Sequence, residues 1–360
     1  MGCSSSTPAS AADVSLVRSK AGEAAAPRVF AGPHDDIANG VAAGSAPGHC
    51  LSCAEDKSIA LTDFSSGRVL ERWRGHERGV SGVIANARFD GVLSCSRDTT
   101  VRLWKRGETA PVATFKGHEL SVSAIALSAD GGTAVSGGRD YSVRVWDLAA
   151  GAGAARCQVS RNVVTCLTWV EGETHLVAQG SEDLKLRLWD VRTLSAPAAQ
   201  LEGYVYFPLC CASSGNYLIT GSNGFEKGYG CEVRVWDRRT LTQLHCIEAH
   251  QQAVCGVAFV PPAAPGAPLL AASASKDAEI RLWDVNSGAC VSQLTLPPAG
   301  GGGEGEDLTA SGITGLAPAH PEEIEARLYA STSAGHVHAL ATTDTSLRVL
   351  ATAGDPAHSQ

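Results

Sequence analysis

The stretch Val143-Arg144-Val145-Trp146-Asp147 decides the fold, because close copies of it return along the chain. The other copies occupy residues 101–104, 186–190, 233–237 and 280–284. Their tryptophans follow one another at intervals of 42, 43, 47 and 47 residues. A short strand of this kind recurring about every 40–45 residues is typical of the four-stranded blades of a β-propeller.

Three of the copies follow the same upstream residues. A Gly-His or Ala-His pair opens the repeat, a serine follows, and an aspartate precedes the tryptophan by six residues. The complete sets are His76, Ser94, Asp98 and Trp104; His118, Ser136, Asp140 and Trp146; His250, Ser273, Asp277 and Trp283. With these sets the chain resembles the WD-repeat family. The resemblance implies that each set is a buried hydrogen-bonded network that stiffens one blade, not a catalytic triad.

Two weaker repeats complete the ring. The first has His34, Ser52 and Asp56 but carries Thr62 in place of tryptophan, and the last covers residues 311–350. We therefore predict an all-β, seven-bladed propeller over residues 28–350, with a disordered tail at 1–27 and a short tail at 351–360. Two segments compete for the strand that completes blade seven. Residues 347–350 are preferred, and residues 28–30 remain the alternative.

Composition and spacing argue against several classes of function. The net charge is −8 and no stripe of basic residues is visible, so a nucleic acid is not expected. No apolar run has the length of a transmembrane helix, and no signal peptide is recognised. Cys50 and Cys53 form a CxxC pair without further ligands nearby, and no phosphate-binding glycine loop occurs. We predict a non-enzymatic protein that uses no metal, cofactor or small-molecule substrate.

The loops of one face are the predicted surface for binding other proteins. The candidates precede the turn aspartates or lie in the loops that enter each blade: Glu55, Arg97, Arg139, Glu182, Lys276, Arg78 and Arg161. Between Thr220 and Trp236 the chain also has an insertion that includes residues 223–230. Its Phe225 and Tyr229 are predicted to contact a partner, because loops that display aromatic residues are often functional. The alternative is that Phe225 packs back onto blade six.

The first residues carry a lipidation motif. Met1-Gly2-Cys3-Ser4-Ser5-Ser6 fits the pattern for N-myristoylation, and Cys3 stands where a palmitoyl chain would follow. One acyl chain binds membranes only weakly, and residues 4–27 have too few basic residues to help. The sequence therefore predicts a membrane tether at Gly2 and Cys3, unless the Met-Gly start is coincidental.

A closer resemblance narrows the predicted role. Residues 159–190, 222–237 and 295–316 are similar to those of the family of WD repeat-containing protein 31. The resemblance implies work at the cilium, with small-GTPase regulators and the components and cargo adaptors of intraflagellar transport. Two rivals remain within the same fold. One is a substrate receptor of a cullin-type ubiquitin ligase, because Arg192 and Arg239 complete WDxR motifs, and the other is a soluble cytoplasmic adaptor.

Overall fold

The computed structural model describes residues 27–158, 162–225, 229–248, 250–262, 266–296, 312–323, 326–343 and 346–354. These residues form seven sheets, the blades, and the first strand of every blade lines one central channel. The predicted seven-bladed, all-β fold is confirmed. Within each blade the four strands follow chain order and pair antiparallel, so each blade is a simple meander.

The strands are assigned to blades in chain order. An outer strand, β1 (Arg28–Phe30), precedes blade one, which has β2 (Ala38–Ala43), β3 (His49–Ala54), β4 (Ser58–Asp63) and β5 (Arg68–Arg74). Blade two has β6 (Val80–Asn86), β7 (Gly91–Ser96), β8 (Val101–Lys105) and β9 (Ala113–Phe115), with a 3-10 turn at Ala87–Phe89. Blade three has β10 (Val122–Leu127), β11 (Thr133–Gly138), β12 (Ser142–Asp147) and β13 (Ala152–Gln158).

The remaining blades continue the same order. Blade four has β14 (Val164–Trp169), β15 (Leu176–Ser181), β16 (Lys185–Asp190) and β17 (Ala199–Leu201). Blade five has β18 (Pro208–Ser214), β19 (Tyr217–Ser222), β20 (Glu232–Asp237) and β21 (Thr242–Glu248). Blade six has β22 (Val254–Val260), β23 (Leu270–Ser275), β24 (Glu279–Asp284) and β25 (Cys290–Thr295). Blade seven has β26 (Ile313–Pro318), β27 (Leu328–Thr332), β28 (Val337–Thr342) and β29 (Leu347–Ala353).

The recurring tryptophan joins each of blades two to six to the blade before it. Trp146 of blade three packs with Val101, Leu103 and Phe115 of blade two, and Trp104, Trp189, Trp236 and Trp283 pack on preceding blades in the same way. Burying so large a side chain at each of these five seams supplies much of the apolar contact between neighbours. The seam packing explains why tryptophan recurs at that strand position.

The seam between blades seven and one is closed differently, because Thr62 replaces the tryptophan there. Phe64 fills the space, with its ring centroid 5.5 Å from that of Tyr329 and 6.3 Å from that of Phe30. Phe30 belongs to β1, which pairs parallel with β29 as a fifth strand of blade seven. The preferred C-terminal segment thus forms the fourth strand, and the N-terminal segment lies outside it. Because Ala351 and Ala353 are buried in this seam, the blade extends beyond the predicted boundary at 350.

A ring of hydrogen bonds joins the first strands around the channel. In five of the seven blades, a polar side chain on the first strand donates to the backbone carbonyl at the start of the next blade. The pairs are Asn39 to Val80, Ser123 to Val164, Thr165 to Pro208, Cys210 to Val254 and Thr314 to Ala38. The last pair joins blade seven to blade one. The sequence pattern gave no sign of this ring, since its donors differ in residue type.

Candidate partner-binding surface

Blade two shows how the predicted tetrad is built. The His76 ring lies between two partners: Nδ1 is 2.7 Å from the Asp98 carboxylate and Nε2 is 2.8 Å from Ser94 Oγ. Trp104 Nε1–H donates to the same Ser94 oxygen at 2.8 Å. Because an ionised carboxylate only accepts, Nδ1 donates to Asp98, and the Ser94 hydroxyl donates to Nε2.

The tetrads of blades three and six have the same geometry. His118 contacts Asp140 and Ser136 at 2.9 and 2.7 Å, and Trp146 donates to Ser136 at 2.8 Å. In blade six His250 lies 3.3 Å from Asp277 and 2.8 Å from Ser273, to which Trp283 donates at 2.9 Å. Each serine is fully buried and accepts from an indole, so its hydroxyl is not presented to a substrate.

The network also determines the protonation of the turn aspartates. Burial alone would raise the pKa of Asp98, but the hydrogen bonds from His76 and Thr100 outweigh it and hold that pKa well below its usual range. Hydrogen bonds, chiefly the one from His118, lower the pKa of Asp140 against the same burial. Both carboxylates are therefore charged and fixed at neutral pH.

Blades four and five hold their tryptophans by other means. In blade four, Gln179 is buried and accepts from Trp189 Nε1 at 3.1 Å. In blade five, the Tyr204 hydroxyl is 3.0 Å from Thr220 Oγ1, while Trp236 Nε1 is buried without a hydrogen-bond partner. Gly203-Tyr204 stands where the other repeats have Gly-His. Our sequence reasoning missed both substitutions, although the Gly-aromatic pair was a visible signal.

The predicted surface residues lie on the face formed by the turns between second and third strands and by the loops that enter each blade. We call it the top face. Arg97 and Arg139 line one polar cleft of about 590 Å³ together with Asn39, Ser81, Ser121 and Ser123. Arg97 is neutralised there by Glu55, at 2.9 Å. Arg78 and Glu182 are exposed elsewhere on the top face, whereas Arg161 lies outside the described residues.

The insertion lies between β19 and β20, and we call its described residues, 223–225 and 229–231, the blade-five loop. Blade two closes the equivalent turn with residues 97–100 alone. Phe225 and Tyr229 are 60% and 64% exposed, and both meet Tyr206 edge to face, at centroid distances of 5.4 and 5.9 Å. A Cβ on Gly230, whose φ is +70°, would lie 2.1 Å from the Tyr206 ring, so glycine is required for the rings to meet.

A second cleft separates the blade-five loop from blade six. Its volume is about 720 Å³, and its lining residues are Asn223, Gly224, Phe225, Gln251, Gln252, Ala253 and Lys276. Phe225 thus faces blade six across open space and does not pack onto it. Two residues that the sequence singled out separately, Phe225 and Lys276, are brought together here. We call this space the aromatic cleft.

Metal-ligating side chains of the described residues belong to the blade frame. His250, Asp277 and Glu279 have ligand atoms within 4.8 Å of one another. His250 and Asp277 are tetrad members, however, and Glu279 accepts from Arg281 at 2.7 Å. Burial raises the pKa of the Cys50 thiol well above its usual value, which disfavours the thiolate that a metal needs.

Comparison with known proteins agrees with this division of the blades. The model of the WD domain, G-beta repeat, matches residues 67–105, 109–147 and 241–284. Each match runs from the fourth strand of one blade through the third strand of the next. Three segments of this seven-bladed propeller are thus similar to the WD repeat. The matched segments contain the three complete tetrads, and the residues of the altered networks, Gln179, Trp189, Tyr204, Thr220 and Trp236, lie outside them.

Relatives match only part of the propeller. Nuclear distribution protein PAC1 of Gibberella zeae is 30% identical over 128 residues, which is 33% of this chain and 26% of that protein. The F-box/WD repeat-containing protein sel-10 of Caenorhabditis elegans is 29% identical over 37% of this chain and 21% of its own length. Telomerase protein component 1 of Rattus norvegicus is 28% identical over 38% of this chain and 5% of its own length. The chain therefore spans about a quarter or less of these relatives.

Two features bear on membrane attachment. In the part of the chain that the structure describes, no helix has the length and apolarity to cross a bilayer. Gly2 and Cys3 lie outside the described residues.

Proposed function

We propose that the protein is a non-enzymatic scaffold that docks another protein on its blade-five loop. The observation that carries the proposal is the exposure of Phe225 and Tyr229 on a loop that Tyr206 and two glycines hold in place. Exposed aromatic side chains add nothing to the core, yet burying one at an interface is worth about 1.5–3 kcal/mol. Rings that Tyr206 already holds in place also lose little conformational entropy on binding.

Affinity purification of the full-length tagged protein from ciliated cells tests this proposal. The amount of partner recovered with the double variant Phe225→Ala, Tyr229→Ala should fall at least tenfold, while the thermal midpoint of the variant stays unchanged. The matched control is Leu241→Ala, Leu244→Ala, which removes two exposed side chains of the same blade, each 42% exposed. Equal recovery from the loop variant and the control would contradict the proposal.

We further propose that acyl chains on Gly2 and Cys3 hold the scaffold at the cytoplasmic face of a membrane, at the cilium or its base. The lipidation motif and the resemblance to the family of WD repeat-containing protein 31 support this, and the resemblance points to small-GTPase regulators and intraflagellar transport components as partners. Cell fractionation should find Gly2→Ala wholly cytosolic, and Cys3→Ser only weakly held by membranes. The unmutated N-terminal peptide should carry the mass of both chains. An unmodified Gly2 would leave a soluble cytoplasmic adaptor.

The ligase alternative makes a separate prediction. Arg192 and Arg239 of the WDxR motifs lie at the turns after third strands, on the face opposite the blade-five loop, and each is paired with the aspartate of its own motif. A relative is named as an F-box protein, which keeps this alternative open. It requires that a cullin-ligase adaptor co-purify with the unmutated protein and be lost from Arg192→Ala, Arg239→Ala. Purification without any such adaptor would eliminate it.

A further inference from the structure

We infer that the aromatic cleft binds an extended, acidic peptide segment that inserts one apolar side chain. The inference rests on the proposed function, because it assigns a chemical class of partner to the same loop. It depends on three properties of the cleft: an apolar wall, a polar floor of amides, and one cation that forms no ion pair with the described residues.

The apolar wall is Phe225. Its ring is fixed from behind by Tyr206, which also contacts Tyr229. The base of the loop has little freedom, since a Cβ on Gly224 would lie 2.3 Å from the backbone nitrogen of Cys231. A ring that is held in place and still 60% exposed offers a preformed contact for one aliphatic or aromatic side chain.

The floor is formed by amide side chains. Gln251 and Gln252 are exposed at the start of blade six, and Asn223 faces them from the blade-five loop. Backbone contacts hold these positions: Gln251 N donates to Asp277 at 2.8 Å and Asn223 N donates to the carbonyl of Phe207 at 3.0 Å. Each amide both donates and accepts, as a peptide backbone requires of its partner. Such a floor suits an extended segment with free N–H and C=O groups.

The charge of the occupant follows from Lys276. This side chain is exposed and forms no ion pair with any residue that the structure describes, and the neighbouring Asp277 is already bound by His250. The aromatic cleft therefore presents the ammonium group of Lys276 beside an apolar wall, which favours a carboxylate next to an apolar residue.

Selection from a phage-displayed library of random peptides, on the immobilised full-length protein, tests the inference. The enriched peptides should combine Asp or Glu with an apolar residue. Lys276→Glu should weaken their binding at least tenfold and should shift a fresh selection toward basic peptides. Lys57→Glu is the matched control, since Lys57 occupies the equivalent turn of blade one and does not line the cleft. Lys276→Met keeps the aliphatic stem and removes the charge, so its affinity for the peptides should lie between those of Lys276→Glu and Lys57→Glu.

The outcomes separate this inference from the function on which it rests. Peptides that lack acidic residues, or that bind Lys276→Glu as well as the unmutated protein, overturn the acidic occupant. If those peptides still require Phe225 and Tyr229, docking on the loop stands. Enriched peptides that need neither the loop aromatics nor Lys276 contradict both, as does a library from which no peptide is enriched.

Discussion

Blades two and five share the same four-stranded arrangement but hold their tryptophans differently. In blade two, Trp104 ends a chain of hydrogen bonds that runs through Ser94 and His76 to Asp98. In blade five, Trp236 is equally buried but its N–H has no partner, and the turn that carries the aspartate elsewhere is replaced by the blade-five loop. We infer from this difference that the two kinds of blade have different roles. Blades with full tetrads provide a stiff frame, and blade five, which lacks one, carries the lengthened turn that we propose as the binding loop.

The largest expected effect is the loss of a tetrad tryptophan. Trp146→Ala should destabilise the protein by about 3–5 kcal/mol through the cavity it leaves between blades two and three, and the lost bond to Ser136 adds to this. Chemical denaturation of the purified full-length protein measures the change. An unchanged midpoint would show that the tryptophan does not join the blades.

A matched pair of substitutions isolates the hydrogen bond from the packing. Trp146→Phe removes the N–H that donates to Ser136, whereas Trp236→Phe removes a donor that has no partner. The two changes lose similar volume, so Trp146→Phe should cost about 1 kcal/mol more. Equal losses of stability would contradict the comparison of blades.

The pH dependence of folding stability below neutral pH provides the next test. The pKa of Asp140 is lowered in the folded protein, so folding gains stability above the unfolded pKa of about 3.9 and loses it as the pH falls further. Asp140→Asn should be less stable at neutral pH and should lose stability less steeply below about pH 4. Asp147→Asn, at an exposed carboxylate where the third strand of the same blade ends, is the control and should leave the slope nearly unchanged. Identical slopes in the two variants would disprove the role assigned to the tetrad.

The smallest effect concerns two equivalent serines. Ser96 Oγ donates to backbone carbonyls of Arg78 and Gly79 at 3.0 and 2.9 Å, whereas Ser222 Oγ in blade five is buried without a partner. Ser96→Ala should cost about 0.5–1.5 kcal/mol, and Ser222→Ala should be neutral or slightly stabilising. Thermal denaturation of both variants measures these changes. A larger loss of stability from Ser222→Ala than from Ser96→Ala would contradict the comparison of blades two and five.

The sequence predicted the frame well because its repeats are local. The spacing from His76 to Trp104 lies within one repeat, so a fixed pattern identified all three complete tetrads. The blade count also followed, since even the repeat with Thr62 kept its histidine, serine and aspartate.

The strand pairing that closes the ring and the altered hydrogen-bond networks of blades four and five could not be predicted from local patterns. Strand β1 pairs with β29, which is more than three hundred residues distant, and no local pattern encodes a parallel pairing of that range. Tyr204 and Gln179 replace the expected residues with different hydrogen-bonding groups, so a pattern that required histidine or serine missed them. The aromatic cleft joins residues of two blades, and only the three-dimensional structure brings Phe225 and Lys276 to one space.

Amide hydrogen exchange of the intact protein, followed by mass spectrometry, tests most directly whether blade two, with its full tetrad, is stiffer than blade five, which carries the blade-five loop. The second and third strands of blade two, Gly91–Ser96 and Val101–Lys105, should exchange more slowly than Tyr217–Ser222 and Glu232–Asp237 of blade five. One missing hydrogen bond of about 1.4 kcal/mol corresponds to roughly tenfold in local opening. Equal protection of the two blades, or slower exchange in blade five, would contradict the account.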